Sequence, residues 1–121
     1  MSGTLSDTLQ NLRDAGGLDM VAVVGSDGLM IDSSHIQDVD AESLSALAAS
    51  GLLMMDAMGR ELAQGSAKQA ILEYEHSVAI LTPLEDDLVL VALAHGDSNL
   101  GRVRLVLRRG LADVNAAVSA I

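Results

Sequence analysis

Apolar residues recur at helical spacing in three stretches of the chain. The first covers residues 4–15, where leucines return every three or four positions behind a capping box formed by Thr4 and Asp7. The second runs from about residue 40 to 64, and the third covers 99–120. A single apolar stripe marks the third, made of Leu100, Val103, Leu107, Leu111, Val114, Val118 and Ile121. Each stretch predicts a helix.

Shorter apolar runs, rich in β-branched residues, lie between the predicted helices. Residues 18–25 and 29–32 flank an Asp-Gly turn, which predicts a β-hairpin. Further runs at 69–75, 78–84 and 88–94 are joined by turns too short for crossovers, so these strands must pair antiparallel. The order α-β-β-α-β-β-β-α predicts one α+β domain over the whole chain, an α/β sandwich with a five-stranded antiparallel sheet and helices on both faces.

The second predicted helix is apolar on too many sides for a surface helix. It follows a polar, loop-like segment, begins with Asp40 as its N-cap and is expected to end at Gly65. We assign to its sheet-facing side Leu44, Leu47, Ala48, Gly51, Met55, Met58 and Leu62. The opposite side holds the polar residues Glu42, Ser45, Asp56 and Arg60, but also Ala46, Ala49, Ser50, Leu53 and Ala57. Such a helix is either overlaid by another element of the chain or paired with its own copy in a symmetric dimer.

The strand predicted at 69–75 has an edge without an evident partner, because it follows a long helix rather than a hairpin turn. An unpaired edge tends to recruit another strand, and its copy in a second subunit is a natural partner. The candidate dimer interface therefore comprises Ala46, Ala49, Ser50, Leu53, Ala57, Ala70, Leu72 and Tyr74.

Residues 95–104 (HGDSNLGRVR) place Gly96 and Gly101 at the spacing of a phosphate-binding loop. That loop requires Lys and then Ser or Thr after its second glycine, and this chain has Arg102 and Val103 there. We therefore interpret the stretch as a strand-to-helix turn. Gly96 turns the chain off the strand, one of the three residues after it caps the helix, and Gly101 lets the backbone approach the sheet closely.

Composition narrows the classes of function. The 121 residues include 7 Lys and Arg against 17 Asp and Glu, a formal net charge of −10, which disfavours nucleic acid and anionic lipid as partners. Tyr74 is the only aromatic residue, so stacking platforms for bases are missing. The N-terminus lacks a signal-peptide pattern, and no apolar stretch approaches the roughly 20 residues that span a bilayer. We expect a cytoplasmic protein with a protein partner and no membrane insertion.

No constellation of residues predicts catalysis, a metal or a cofactor. Cysteine is absent, and His35, His76 and His95 lie in or beside separate loops without a second ligand at helical spacing. Ser77 beside His76 forms no nucleophile elbow, although a hydrolase built on this pair is one alternative. We therefore expect no catalytic, metal-binding or cofactor-binding residues.

Charged residues on two helices are candidates for contacts with a partner. Arg102 and Arg109 point away from the apolar stripe of the third helix, and four of the seven basic residues lie in 102–109. Asp56 and Arg60 lie on the outward side of the second helix. These residues either form a solvated surface that pairs with nearby acids or bind a partner.

Several short motifs occur in an order and spacing that is found in one known family. They are V-A-V-V-G-S-D-G-L-M-I-D-S-S at 21–34, D-A-E-S-L-S-A-L-A-A at 40–49, L-E-Y-E at 72–75, L-T-P-L-E-D-D-L-V-L-V-A-L-A at 81–94 and G-D-S-N-L-G-R-V-R at 96–104. With these motifs the chain resembles the roadblock family, named for the dynein light chain, from about Leu5 to Val118. The hairpin motif and the closing motif are the most specific of them.

The resemblance implies a roadblock/profilin-like fold that forms a homodimer through the middle helix and the following strand, so that two sheets join. It also implies the absence of a catalytic centre and a role as a platform or regulator of small Ras-like GTPases, some bacterial members stimulating GTP hydrolysis. The expected function is a non-catalytic homodimeric regulator or scaffold that binds a small Ras-like GTPase. The alternative is a small-molecule sensor or signalling scaffold domain without a GTPase partner.

Overall fold

The computed structural model describes residues 4–36 and 38–121. Its helices in these residues are α1 (Leu5–Gly16), α2 (Ala41–Leu62) and α3 (Leu100–Ser119). Its strands are β1 (Met20–Gly25), β2 (Met30–His35), β3 (Ala70–Glu73), β4 (Ser77–Pro83) and β5 (Leu88–His95). The order of elements along the chain is the predicted one.

The strands form one five-stranded sheet in the order β2-β1-β5-β4-β3, and all neighbours are antiparallel. All of β1 pairs with β5, from Met20 opposite Leu93 to Gly25 opposite Leu88, while β2 and β3 are the edges. Helices α1 and α3 pack on one face and α2 on the other. The predicted α+β sandwich, with helices on both faces of an antiparallel sheet, is confirmed.

Each face of the sheet carries its own aliphatic core, because successive side chains of a strand point to opposite faces. In β1, Val21 and Val23 are fully buried against α1 and α3, whereas Met20, Ala22 and Val24 are fully buried against α2. The leucines predicted for α1 are all buried, as are Val103, Leu107 and Val114 of the α3 stripe. Ile121 was assigned wrongly to that stripe, because it lies beyond the end of α3 and is exposed.

The helix ends follow from local capping. The Thr4 hydroxyl accepts a hydrogen bond from the Asp7 backbone N–H at 3.2 Å, which completes the predicted capping box of α1. Asp40 caps α2 as predicted. The other end of α2 comes earlier than Gly65, because Ala63 adopts a left-handed conformation (φ 53°) and its N–H donates to the carbonyl of Arg60.

The two edge strands differ in length from their predictions. β2 continues to His35, although the segment after residue 32 was interpreted as a loop. Its polar residues pair in register with β1, Ser34 opposite Val21, and the Arg13 side chain donates to the Ser34 hydroxyl at 2.9 Å. An edge strand needs less apolar surface than a central one, which explains why the pattern missed it. β3 is shorter than predicted, since the chain already turns at Tyr74.

Candidate partner-binding surface

Helix α2 faces the sheet with a mixture of small and large residues. Ala41, Ala48, Leu52 and Met55 are buried there, and a Cβ added to Gly51 would lie 2.8 Å from the Leu81 side chain. The small residues let the helix approach the sheet closely. Ser45 was predicted to face solvent but is buried. Its hydroxyl donates a hydrogen bond to the Ala41 carbonyl at 2.7 Å, so this polar group has a partner inside the core.

Several other large apolar residues of α2 point away from the sheet. Three residues assigned to the sheet-facing side, Leu47, Met58 and Leu62, are in fact largely exposed. That assignment was wrong because the side of the helix that packs on the sheet is centred on Ala48, Leu52 and Met55, which turns Leu47, Met58 and Leu62 outwards. The outward apolar face, here called the α2 face, consists of Ala46, Leu47, Leu53, Met54, Ala57, Met58 and Leu62.

The predicted interface residues on α2 divide between surface and core. Ala46, Leu53 and Ala57 are exposed and belong to the α2 face, and the exposed Ser50 lies on the same side of the helix. Ala49 is only 5% exposed, so the chain itself buries this side chain and the candidate surface must be corrected at this position. Met54, which is 60% exposed, was missed by the sequence reasoning. Its place in the helical period between Leu47 and Met58 could have identified it.

Strand β3 extends the α2 face at the edge of the sheet. Ala70 and Leu72 lie on the same side of the sheet as α2, since Ala70 pairs with Leu81 and packs against the core beneath that helix. Helix α2 itself packs mainly on β1, β2, β5 and β4, which leaves Leu72 exposed. Tyr74, directly after the strand, is 60% exposed. Among the described residues β3 has only β4 as a neighbour in the sheet, as predicted, so its outer backbone groups have no strand partner there.

Asp56 and Arg60 lie at the C-terminal end of α2, beside the α2 face. Together with Asp87 and the backbone around Gly65 they line a shallow depression. Asp87 belongs to the β4–β5 turn and has a left-handed backbone (φ 58°). These charged groups form a polar border to the apolar surface.

Arg102 and Arg109 lie on the other side of the sheet, on α3. The Arg102 guanidinium donates to the Ala15 carbonyl at 3.4 Å, at the C-terminal end of α1. Arg109 lines the groove between α1 and α3 with Asp113 and Val106. The structure therefore does not bring all four predicted partner-binding residues together, because two border the α2 face and two belong to the opposite face of the molecule.

The stretch 95–104 is a capped turn between β5 and α3. The Asn99 side chain accepts a hydrogen bond from the Arg102 backbone N–H at 3.1 Å, which identifies the N-cap among the three candidates. A Cβ at Gly96 would lie 3.0 Å from the His76 backbone, so a close approach exists here. A Cβ added at Gly101 would meet only the Asn99 side chain, at 3.5 Å. The close approach that was predicted for Gly101 therefore belongs to Gly96.

The histidines lie at one end of the sheet but form no joint site. The His95 ring is 3.8 Å from the Asp19 carboxylate, and the largely exposed His76 ring is 3.7 Å from Glu75. Ser77 begins β4 and is half-buried. Within residues 4–36 and 38–121, no group of three or more His, Asp or Glu side chains is placed to hold a metal ion. In the same part of the chain, no helix is long and apolar enough to cross a bilayer.

The fold and this surface define an α+β domain whose exposed features are a helix face and a strand edge. The model of the Roadblock/LC7 domain matches residues 4–94, and the chain therefore belongs to the Roadblock/LC7 family. This finding confirms the family that the motifs indicated.

Individual proteins resemble the chain over nearly its whole length. An uncharacterized protein of Methanocaldococcus jannaschii, MJ1340, is 30% identical over 108 residues, which cover 89% of this chain and 94% of that protein. The structure of Myxococcus xanthus MglB superposes with a TM-score of 0.88 at 19% identity, covering 97% of this chain and 96% of that one. An MglB structure described as having a tetrameric arrangement gives 0.86 at 15% identity, with 100% and 96% covered. At these identities the two structures show a shared fold.

Proposed function

We propose that this chain is a non-catalytic, homodimeric regulator or scaffold that binds a small Ras-like GTPase and modulates its GTP hydrolysis. The observation that supports the dimer is the α2 face, where large apolar side chains lie exposed on a helix that already packs another side on the sheet. Large contiguous apolar patches on soluble proteins mark interaction sites. The patch continues onto Leu72 and Tyr74, next to the free edge of β3.

A second copy of the chain fits both features at once. In a two-fold symmetric contact the same patch faces itself, so α2 would pack on its copy while β3 pairs with its copy. Leu53, Met54 and the exposed alanines of the α2 face would be covered by the facing helix. The backbone groups at the outer edge of β3 would find hydrogen-bond partners. A single two-fold axis would therefore both cover the apolar surface and pair the open strand edge.

Charge restricts how the two β3 strands pair. The Tyr74 N–H donates to the Ser77 carbonyl, so by alternation Ile71 and Glu73 direct their backbone groups to the free edge. A pairing centred on Glu73 would place this carboxylate opposite its own copy, which is unfavourable. A pairing centred on Leu72 places Glu73 opposite Ile71 and brings the two Leu72 side chains together. We propose the pairing centred on Leu72.

The GTPase partner is proposed from membership of the Roadblock/LC7 family. In the dimer, each subunit would contribute one end of α2, with Asp56 and Arg60, to the border of the joined helices. These charged groups are exposed and lie outside the apolar centre, as polar rim residues do in protein interfaces. They are therefore the candidates for contacts with the GTPase, whereas Arg102 and Arg109 belong to another surface.

The test uses the purified chain as bait in an extract of the cells that express it, with a non-hydrolysable GTP analogue present. Retained Ras-sized proteins are identified by mass spectrometry, and the GTPase found is produced for measurement of phosphate release. We expect the wild-type chain to change its GTP turnover, and Arg60→Glu to weaken that effect while Lys68→Glu, with the same charge change nearby, does not. Recovery of no Ras-like GTPase, or unchanged turnover with the wild-type chain, would contradict the proposal.

A further inference from the structure

The face of the molecule opposite α2 carries a concentration of arginines that the proposed function does not use. Residues 102–109 contain four arginines and no acid, a charge of +4. The remaining chain has three basic residues and 17 acidic ones, a charge of −14. All four cations of the stretch are arginine and they follow one another along a single helix, α3. The chain thus separates its charges strongly between α3 and everything else.

No acid among the described residues forms an ion pair with these arginines. In the part of the chain that the structure describes, none of the four lies within 4 Å of a carboxylate, although acids outnumber bases there. Arg102 donates to the Ala15 carbonyl and Arg104 to the Gln69 side chain, both uncharged acceptors. Arg108 and Arg109 make no side-chain hydrogen bond among the described residues. The nearby acids are Asp113, which lines the groove with Arg109, and Glu85, which lies beside Arg108.

An apolar contact point lies among the arginines. Leu105 is 41% exposed and lies one turn from Arg102, Arg108 and Arg109. Beside it, the groove between α1 and α3 has a floor of Val106, Leu12 and Ala117 and has Arg109 at its border. The surface therefore offers guanidinium groups around a small apolar centre.

We propose that this surface, the outward face of α3, binds a carboxylate-rich segment of a partner protein. Guanidinium groups bind carboxylates through two parallel hydrogen bonds, and arginine suits this geometry better than lysine. Leu105 and the groove would take an apolar side chain of the same segment. The rest of the chain, at −14, would be repelled by an anionic membrane or by nucleic acid, so a local acidic segment fits this charge distribution better. The surface lies across the sheet from the α2 face and is independent of the proposed dimer.

The probe is a fluorescein-labelled peptide of repeating Glu-Glu-Leu, with a Gln-Gln-Leu peptide of equal length as its uncharged counterpart. Binding to the full chain is followed by fluorescence anisotropy at low and high salt. The variant Arg108→Glu/Arg109→Glu is compared with Arg60→Glu/Lys68→Glu, which changes the net charge equally at other places. Neither Arg108 nor Arg109 is buried, and circular dichroism verifies that both variants remain folded.

We expect the acidic peptide to bind the wild-type chain, and we expect this binding to weaken as the salt concentration rises. The affinity for the peptide should fall about tenfold or more in the variant Arg108→Glu/Arg109→Glu but not in the control variant. Amide chemical-shift changes should lie on α3 and the adjoining part of α1. No binding of the acidic peptide, or equal loss in both double variants, would overturn the proposal. Binding to phosphatidylserine vesicles instead of the peptide, abolished by Arg108→Glu/Arg109→Glu, would assign the surface to a membrane and overturn it as well.

Discussion

At the scale of single residues, two glycines in the loop before α3 have different physical roles. Gly96 packs against three backbone atoms of His76, at 3.0 to 3.3 Å from the position of a Cβ. It also donates its N–H to the His76 carbonyl at 3.0 Å, so the contact cannot easily open. Gly101 lies in the exposed first turn of α3 with only Asn99 near. The pair of glycines therefore resembles a phosphate loop in sequence alone.

Replacement of each glycine by alanine should separate these roles. Gly96→Ala should lower the free energy of unfolding by about 1–3 kcal/mol, because the His76 backbone would have to move. Gly101→Ala should raise it by about 0.5–1 kcal/mol, since alanine favours the helix and meets no obstacle. Urea denaturation of the two variants measures both values. A Gly96→Ala protein as stable as the wild type would contradict the close-packing account.

The carboxyl group of Asp40 makes the stability of the protein depend on pH through the N-cap of α2. The Ser43 backbone N–H at 3.1 Å, and then the Ser43 hydroxyl at 2.8 Å, lower the pKa of Asp40 below its ordinary value of 3.8. Because the folded-state pKa is lowered, the stabilisation is present at neutral pH and is lost as pH falls through that lower pKa. Asp40→Asn keeps an uncharged cap at every pH. Its deficit in melting temperature against wild type should therefore be present at pH 7 and close in acid; a deficit that is constant with pH would contradict this account.

At the scale of elements, α1 and α3 could be predicted from the sequence because each has one apolar stripe and one polar side. α2 could be placed along the chain but not oriented, since it is apolar on nearly all sides and its rotation follows from contacts with the sheet, such as that of Gly51 with Leu81. That contact depends on tertiary packing, which helical period does not report. The end of β2 could not be predicted for a similar reason, because Ser33 and Ser34 are strand residues only through their pairing with β1.

The pairing proposed for β3 can be tested directly, because the chain has no cysteine of its own. Leu72→Cys should form a disulfide-linked dimer under mild oxidation, since residues directly opposite in a non-hydrogen-bonded pair have Cα atoms about 4.5 Å apart. Glu73→Cys should link poorly, because in this pairing the two copies are diagonal neighbours about 7–8 Å apart. Non-reducing electrophoresis distinguishes the two. Efficient linking of Glu73→Cys and none of Leu72→Cys would exclude the pairing centred on Leu72.

At the scale of the whole molecule, the sheet separates two surfaces of different chemistry. The α2 face and the edge of β3 are apolar and suit a second copy of the chain, while the outward face of α3 is basic and suits an acidic segment. Dimerisation through the first would leave the second exposed on both subunits. A homodimer could thus engage a GTPase and a further protein at the same time, which is the arrangement that a scaffold requires.

The central claim is that the α2 face joins two copies of the chain, and the solution mass tests it most directly. Analytical ultracentrifugation at micromolar concentration should give twice the chain mass of 12.5 kDa for the wild type. Leu53→Arg should give a folded monomer, because it places a charge within the apolar contact. Leu105→Arg, an equivalent change on α3, should remain dimeric. A monomeric wild type, or a Leu53→Arg protein that keeps twice the chain mass, would contradict the account.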